Sequence, residues 1–415
     1  MKSKNTSAAP IDFVIAWVDG SDPQWQKEKM AYSGISGSRA GCRPAPGEPG
    51  SVAGEPGTAP GEPGSIPGEP GTAPGEPGSI PGKPGMAPEK PGTVSGEPES
   101  APGESGLAAA EAALAAGDQR EIRFRDWGTL RFWFRAAELY APWVRRIHFV
   151  TWGHLPPWLN VDHPKLHVVN HRDYIPAKYL PTFNSHTIEL NLHRIPGLAE
   201  QFVYFNDDMF LNAPVKPSDF FIGGRPRDVF ALNAIYFGLD SVGAINSNNI
   251  GVINTHFSKR EVFRKTWPLW FCPRYGAKNL LRTALLLPWP WFPGLRYNHT
   301  SSNFLKSTFI EVWKAEPELL DQTCRCGFRQ PSNVNQWLFK YWQLASGNFA
   351  PLADRFSRCY HLKSDVSDAC QNILNHENKV ICINDTARTQ NFERLAAEIR
   401  DAFAKMLPEK SQYER

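Results

Sequence analysis

Ile11-Asp12-Phe13-Val14-Ile15-Ala16-Trp17-Val18 runs straight into Asp19-Gly20-Ser21-Asp22-Pro23, and this junction decides the fold. A short apolar run closed by turn residues predicts a buried strand. The same pattern recurs where Phe202–Phe205 meets Asn206-Asp207-Asp208. Between the two, Trp127, Leu130, Phe134, Ala137 and Ala141 fall at helical spacing. Residues 146–152 and 166–170 read as strands, and Ile188, Leu192 and Ile195 mark a further helix. Alternating strands and helices predict an α/β fold, a sheet with helices on both faces. Ligands of such sheets bind beyond the carboxyl ends of the strands. Asp19 and Asp207–Asp208 both stand at such ends. From 391 to 406, Phe392, Leu395, Ala396, Ile399, Phe403 and Met406 form one helical stripe, which predicts a helix packed on the core and closed by Pro408.

The two ends of this pattern are separated by something different. Residues 47–109 are nine units of seven, beginning Gly47-Glu48-Pro49-Gly50 and Gly54-Glu55-Pro56-Gly57. Glycines recur at spacings of three and then four, so collagen's strict period is absent. Large apolar side chains are nearly missing, and nothing here offsets the entropy of ordering. The segment reads as a disordered Pro/Gly-rich insertion in a surface loop, with a random-coil reach of about 45 Å. The expected organisation is therefore residues 1–40 as the first strand and start of a catalytic domain, 41–117 as linker, and 118–415 as the rest of that domain.

Charge follows the same division. The chain carries 45 basic and 42 acidic residues, a net +3. The repeat holds nine Glu against two Lys, so the remainder is distinctly basic. A basic body suits an anionic substrate, although surplus Lys and Arg also simply solvate a surface. No Lys/Arg run interleaved with aromatics points to nucleic acid. Seven cysteines, with Cys324 and Cys326 forming a lone C-x-C, lack zinc-type spacing. They read as reduced structural thiols. The run at 11–18 is too short and too closely flanked by acids for a signal-peptide core. Leu280–Leu295, which contains Arg282 and three prolines, is too broken to span a bilayer. The expected location is the cytoplasm, with peripheral contact at the inner membrane face.

Two motifs can carry chemistry. Adjacent carboxylates at a strand end, Asp207 and Asp208, can hold a hard divalent cation against a diphosphate; a solvated turn is the plainer alternative. Asn184-Ser185-His186-Thr187-Ile188-Glu189 opens a helix on which His186, Glu189 and His193 share one face. That face can present a general base or a supporting ligand, and is equally explained by contact with water. His299 and Arg329 stand alone in the sequence. A histidine can accept a proton near neutrality and an arginine can grip phosphate bidentately.

Four separated blocks resemble the four regions of the Stealth family. The first is the junction at 11–23. The second runs from Arg123-Phe124-Arg125-Asp126 through Ala141-Pro142-Trp143-Val144 and Leu180-Pro181-Thr182-Phe183-Asn184-Ser185 to Tyr204-Phe205-Asn206-Asp207-Asp208-Met209-Phe210. The third spans about 297–346 and includes His299 and Arg329. The fourth is Cys382-Ile383-Asn384-Asp385-Thr386 followed by the final helix and Pro408-Glu409-Lys410-Ser411. The family includes bacterial capsule and exopolysaccharide phosphotransferases and the catalytic subunit of the animal lysosomal-enzyme N-acetylglucosamine-1-phosphotransferase. The resemblance implies a glycosyltransferase-A-like nucleotide-sugar transferase core. It also implies transfer of a sugar 1-phosphate from a UDP-sugar to an acceptor sugar hydroxyl of a polysaccharide or oligosaccharide, with release of UMP. It marks Glu189, Asp208, His299 and Arg329 as the catalytic set. Asp19, Gly20, Asn184 and Ser185 are marked as substrate-binding, and Asp207 with Asp208 as the ligands of magnesium or manganese. It further suggests contact with a capsule export machinery. Two rival readings stand beside it. One is a metal-dependent glycosyltransferase that forms a glycosidic bond and releases UDP. The other is a non-enzymatic surface protein displayed through its repeat.

Overall fold

Those short apolar runs assemble into a sheet. In a computed structural model of the chain, residues 9–36, 117–235, 241–386 and 388–415 are described, so the expected linker lies outside them except for Gly117. In chain order the strands are β1 (Ile11–Ala16), β2 (Ile147–Thr151), β3 (Leu166–Asn170), β4 (Gln201–Asn206), β5 (Met209–Leu211), β6 (Phe221–Ile222), β7 (Arg225–Asp228), β8 (Ser302–Leu305), β9 (Ala350–Pro351), β10 (Ser357–His361) and β11 (Val380–Asn384). The main sheet has the order β3-β2-β1-β4-β8. Its first four members are parallel, and β8 runs antiparallel to β4. The expected mixed α/β fold is therefore the observed one.

Phe13, Val14 and Ile15 are wholly buried, as a parallel strand covered on both faces must be. The helix Leu130–Tyr140 lays Trp133 and Phe134 on one face of the sheet. Trp133 meets Phe205 edge-on with centroids 5.5 Å apart, and Phe205 lies 5.1 Å from Phe13. The C-terminal helix Phe392–Met406 packs as its stripe predicts: Phe403 lies 4.6 Å from Phe210 and Phe392 lies 4.8 Å from Trp127.

Two features position the site. Chain order reverses at β1, which pairs with β2 on one side and β4 on the other. A crevice opens where the loops leaving β1 and β4 diverge. A smaller sheet, β10-β11-β5, then carries the C-terminal region to that crevice. Its strand β11 reaches the Asp207-Asp208 turn, where the Ile383 amide donates to the Asp208 carbonyl at 2.8 Å.

Three expectations need correction. The helix read through Ile195 is an α-helix only over Ser185–Leu190, followed by a 3-10 turn at Leu192–Arg194. Its polar face is not wet: His186, Glu189 and His193 are all buried against neighbouring elements. And Cys326 is disulfide-bonded rather than a free thiol.

Candidate active site

The crevice is lined from β1 by Ala16, Trp17 and Val18, and from β4 by Asn206, Asp207 and Asp208. Ser185, His299 and Arg329 reach it from three other parts of the chain. Of the predicted catalytic residues, three thus face one cavity. Glu189 lies just behind its wall, with Ser185 and Ile188 of the same helix in front.

The strand end at β4 holds its carboxylates in an unusual state. Asp208 Oδ2 takes the Cys382 thiol at 3.3 Å and faces His299 Nδ1 at 3.4 Å. Asp208 Oδ1 is buried with no partner. Burial pushes the Asp208 carboxyl up, against the His299 charge and the Cys382 thiol. Asp207 is driven far above the aspartate range by burial and by the charges of Asp208 and Asp126. Asp126 is itself raised, by burial and by Asp19, against the pull of the Gly128 amide. Carboxylates crowded in this way, with an unused buried oxygen, suit a hard cation.

His299 is held from both sides. Its Nε2 faces the Asn206 amide nitrogen at 3.5 Å, and its Nδ1 faces Asp208 and the Cys382 sulfur, the latter at 3.3 Å. Burial works against its charge, yet Asp208 and Cys359 lift its pKa to about 9. Glu189 is raised as well, and by a different cause. Burial raises it to about 7, while the charge of Arg329 and the Gln336 amide hold it back.

Two guanidinium groups line the same cavity. Arg329 donates to Ser185 Oγ at 2.7 Å, and its carbonyl accepts from the Asp118 amide at 2.9 Å. Burial and the neighbouring charge of Arg123 lower its pKa to about 10. Arg123 lines the same cavity and is paired with Asp118 at 2.7 Å. Two cations lining one cavity suit a phosphate group.

The predicted substrate-binding residues divide. Ser185 is on the cavity wall. Asn184 is wholly buried and caps its helix: Oδ1 accepts from the His186 amide, while Nδ2 donates to the Cys326 carbonyl and Asn333 Oδ1. It fastens that helix to the segment carrying Arg329. Asp19 and Gly20 line an adjoining cavity that shares Trp25, Phe124, Arg125 and Asp126 with the first. Asp19 accepts from the amide and hydroxyl of Ser21, and its own amide donates to His154 Nε2 at 2.7 Å. Gly20 has a packing reason: a Cβ there would come within 2.1 Å of the Phe124 carbonyl oxygen.

Sequence reasoning assigned no role to Arg123, Arg125, Asp126, Cys359, Cys382 or Asp385. The first three form a charged cluster just before a helix, a signal available in the sequence. Arg125 pairs with Asp385 at 2.6 Å across 260 residues, for which no local signal exists. Cys359 and Cys382 become neighbours only because β10 and β11 pair in register. With His299 they place three soft ligand atoms within 4.8 Å of one another. That set does not suit magnesium; the hard oxygens of Asp207 and Asp208 do.

A mostly parallel sheet, with crowded carboxylates at a strand end and two guanidiniums lining the same crevice, defines an α/β protein with a charged cavity beyond the carboxyl ends of its strands. Comparison with known proteins makes this specific. The family descriptions "Stealth protein CR1, conserved region 1" and "Stealth protein CR2, conserved region 2" match residues 9–37 and 123–227. The chain is 42% identical over 295 residues to a capsular polysaccharide phosphotransferase WcwK of Streptococcus pneumoniae, covering 71% of this chain and 88% of the relative. A second WcwK of that species is 33% identical over 409 residues, 98% of this chain and 99% of its own. The exopolysaccharide phosphotransferase cps2G of Lactiplantibacillus plantarum is 38% identical over 296 residues, covering 71% and 87%. The chain belongs to the Stealth family.

Proposed function

We propose that this protein is a phosphotransferase of capsular or extracellular polysaccharide synthesis that moves a sugar 1-phosphate from a UDP-sugar to an acceptor sugar hydroxyl. The observation that carries this reading is one cavity lined by Arg123 and Arg329 together with Asp207, Asp208 and His299. A phosphoryl transfer needs positive charge aimed at the phosphorus and little covalent help from the protein.

In the proposed reaction the acceptor oxygen attacks the phosphorus bonded to the sugar. The bond from that phosphorus to the bridging oxygen breaks, UMP leaves, and a phosphodiester remains. Arg329, fixed by Ser185 and backed by Arg123, stabilises the equatorial phosphate oxygens. Asp207 and Asp208 would hold magnesium or manganese, which would supply positive charge against the diphosphate and, beside Asp208, would favour the neutral form of His299. His299, which lines the cavity, takes the acceptor proton, while Glu189 stays behind the wall and balances Arg329. The catalytic domain comprises 1–40 and 118–415, with 41–117 as a linker outside the chemistry. The acceptor is a growing polysaccharide or oligosaccharide, and the enzyme works at the cytoplasmic face of the inner membrane beside the export machinery. Among the described residues, no helix is long and apolar enough to cross a membrane.

The test is which bond breaks. Incubation with a UDP-sugar and acceptor releases UMP, and phosphorus NMR of the product shows a phosphodiester. Release of UDP with a phosphate-free product would instead establish a glycosyltransferase. Arg329→Lys keeps the charge but loses the planar fork, and slows turnover strongly in a folded protein. The proton acceptor is identified by the rising limb of the pH–rate profile. His299→Gln removes that limb if His299 is the base, and Glu189→Gln removes it if Glu189 is.

A further inference from the structure

Away from the crevice, the helices Lys259–Trp270 and Ala277–Leu286 form a hairpin that continues into the run from Leu287 to Phe292. Its inner side is anchored firmly. Trp270, Tyr275, Thr283 and Phe292 are buried. Lys259, also buried, donates to the carbonyls of Leu286, Leu287 and Trp289 at 3.0, 2.8 and 2.6 Å, which closes the end of the second helix.

The outer side is unlike the rest of the surface. Trp267, Leu281, Leu285, Trp289 and Trp291 are 56% to 71% exposed, and include every exposed tryptophan among the described residues. Leu281 and Leu285 are one helical turn apart, and Lys278 precedes them on the same face. Asn279 and Thr283, on the other face, point inward. Charge in this region is strongly biased: Glu261, in the first turn of the first helix, is the hairpin's one acid. No Asp or Glu occurs between Glu261 and Glu311, whereas Arg264, Lys265, Arg274 and Lys278 are all exposed.

We infer that this hairpin is the face by which the protein docks on an anionic lipid bilayer. Tryptophan favours the boundary between headgroups and acyl chains. Exposed leucines on a rigid amphipathic face insert to shallow depth, and a juxtamembrane cluster in which basic residues outnumber acids is drawn to negatively charged headgroups. A protein partner recognised through the same residues would have to supply all the negative charge itself. The inference gives the proposed membrane location a surface, and it rests on exposure and charge here rather than on the reaction assigned to the crevice.

The experiment is flotation of the full chain with phosphatidylcholine vesicles, with and without phosphatidylglycerol. Binding to the mixed vesicles is expected, with weak binding to pure phosphatidylcholine, release by high salt, and a blue shift of tryptophan fluorescence on binding. Trp289→Ser combined with Trp291→Ser, and separately Arg264→Glu combined with Lys265→Glu, each lower the bound fraction by roughly tenfold. Turnover on a soluble acceptor is unchanged in both, which separates failed docking from failed folding or failed chemistry. Absence of binding to the anionic vesicles, or equal binding by all variants, would overturn the inference. So would a concentration-dependent dimer abolished by the tryptophan variants, which would assign the face to a second copy of the chain.

Discussion

Asp12 and Asp208 belong to opposite ends of neighbouring strands in one sheet, and the fold treats them in opposite ways. Asp12, at the start of β1, is completely buried and completely paired. Its oxygens accept from Arg145 Nε at 2.7 Å and Nη2 at 2.5 Å, from His148 Nε2 at 3.0 Å and from the Ala199 amide at 2.8 Å. Burial alone would push its carboxyl up, but these partners together bring it below the usual aspartate range. Asp208, at the end of β4, has a thiol, an imidazole and one oxygen with no partner at all, and its carboxyl is raised. The amino end of the sheet uses its carboxylate to hold the fold together. The carboxyl end keeps one carboxylate oxygen buried without a protein partner. Perturbation of this second kind marks functional sites.

The contrast can be broken most severely at Asp208. Asp208→Asn is expected to reduce turnover by about 100- to 1000-fold while leaving the urea midpoint unchanged or higher. A large loss of stability would show that Asp208 is structural like Asp12, and the difference between the two ends would disappear.

Asp12→Ala should do the reverse. It strands the buried His148 and removes the Arg145 ion pair, at a cost of about 3 kcal/mol by denaturant titration, with activity per folded molecule retained. The pH signs sharpen the point. Asp12 is depressed on folding, so its contribution is complete above the ordinary aspartate range and is lost as pH falls through its lowered value. Asp207 and Asp208 are raised, so without a cation they oppose folding at neutral pH and relax as pH falls. Stability curves of Asp12→Ala and Asp208→Asn, measured without divalent cation, should therefore diverge from the parent in opposite directions.

Adding manganese or magnesium tests whether the unsatisfied end is a binding site. A hundredfold excess over its dissociation constant is expected to stabilise the protein by about 2.7 kcal/mol, and Asp208→Asn should abolish the effect. Equal stabilisation of both proteins would place the cation elsewhere. The smallest effect is expected from deleting residues 47–109, the seven-residue repeat. Turnover should stay within about twofold of the parent, because lengthening or shortening a surface loop changes closure entropy only slowly. Aggregation or inactivity of the deletion would make the repeat part of the working structure.

Consecutive residues determined a good deal by themselves. The run at 11–18, the repeat and the stripe from Phe392 to Met406 are local patterns, and period follows from the geometry of the chain. Family membership was legible because Asp19-Gly20, Asn206-Asp207-Asp208 and Asn384-Asp385 are short strings with characteristic neighbours. Only tertiary structure decided what the acids are for. In sequence Asp12 and Asp208 are equally plain acids beside strands, and the face bearing Glu189 reads as readily as wet. Asp12 is brought down by Arg145, 133 residues away, whereas the burial that raises Asp208 is only partly offset by partners such as Cys382, 174 residues away. A carboxylate's charge state is set by the dielectric and the partners around it, and those are brought together by strand pairing rather than by neighbours along the chain.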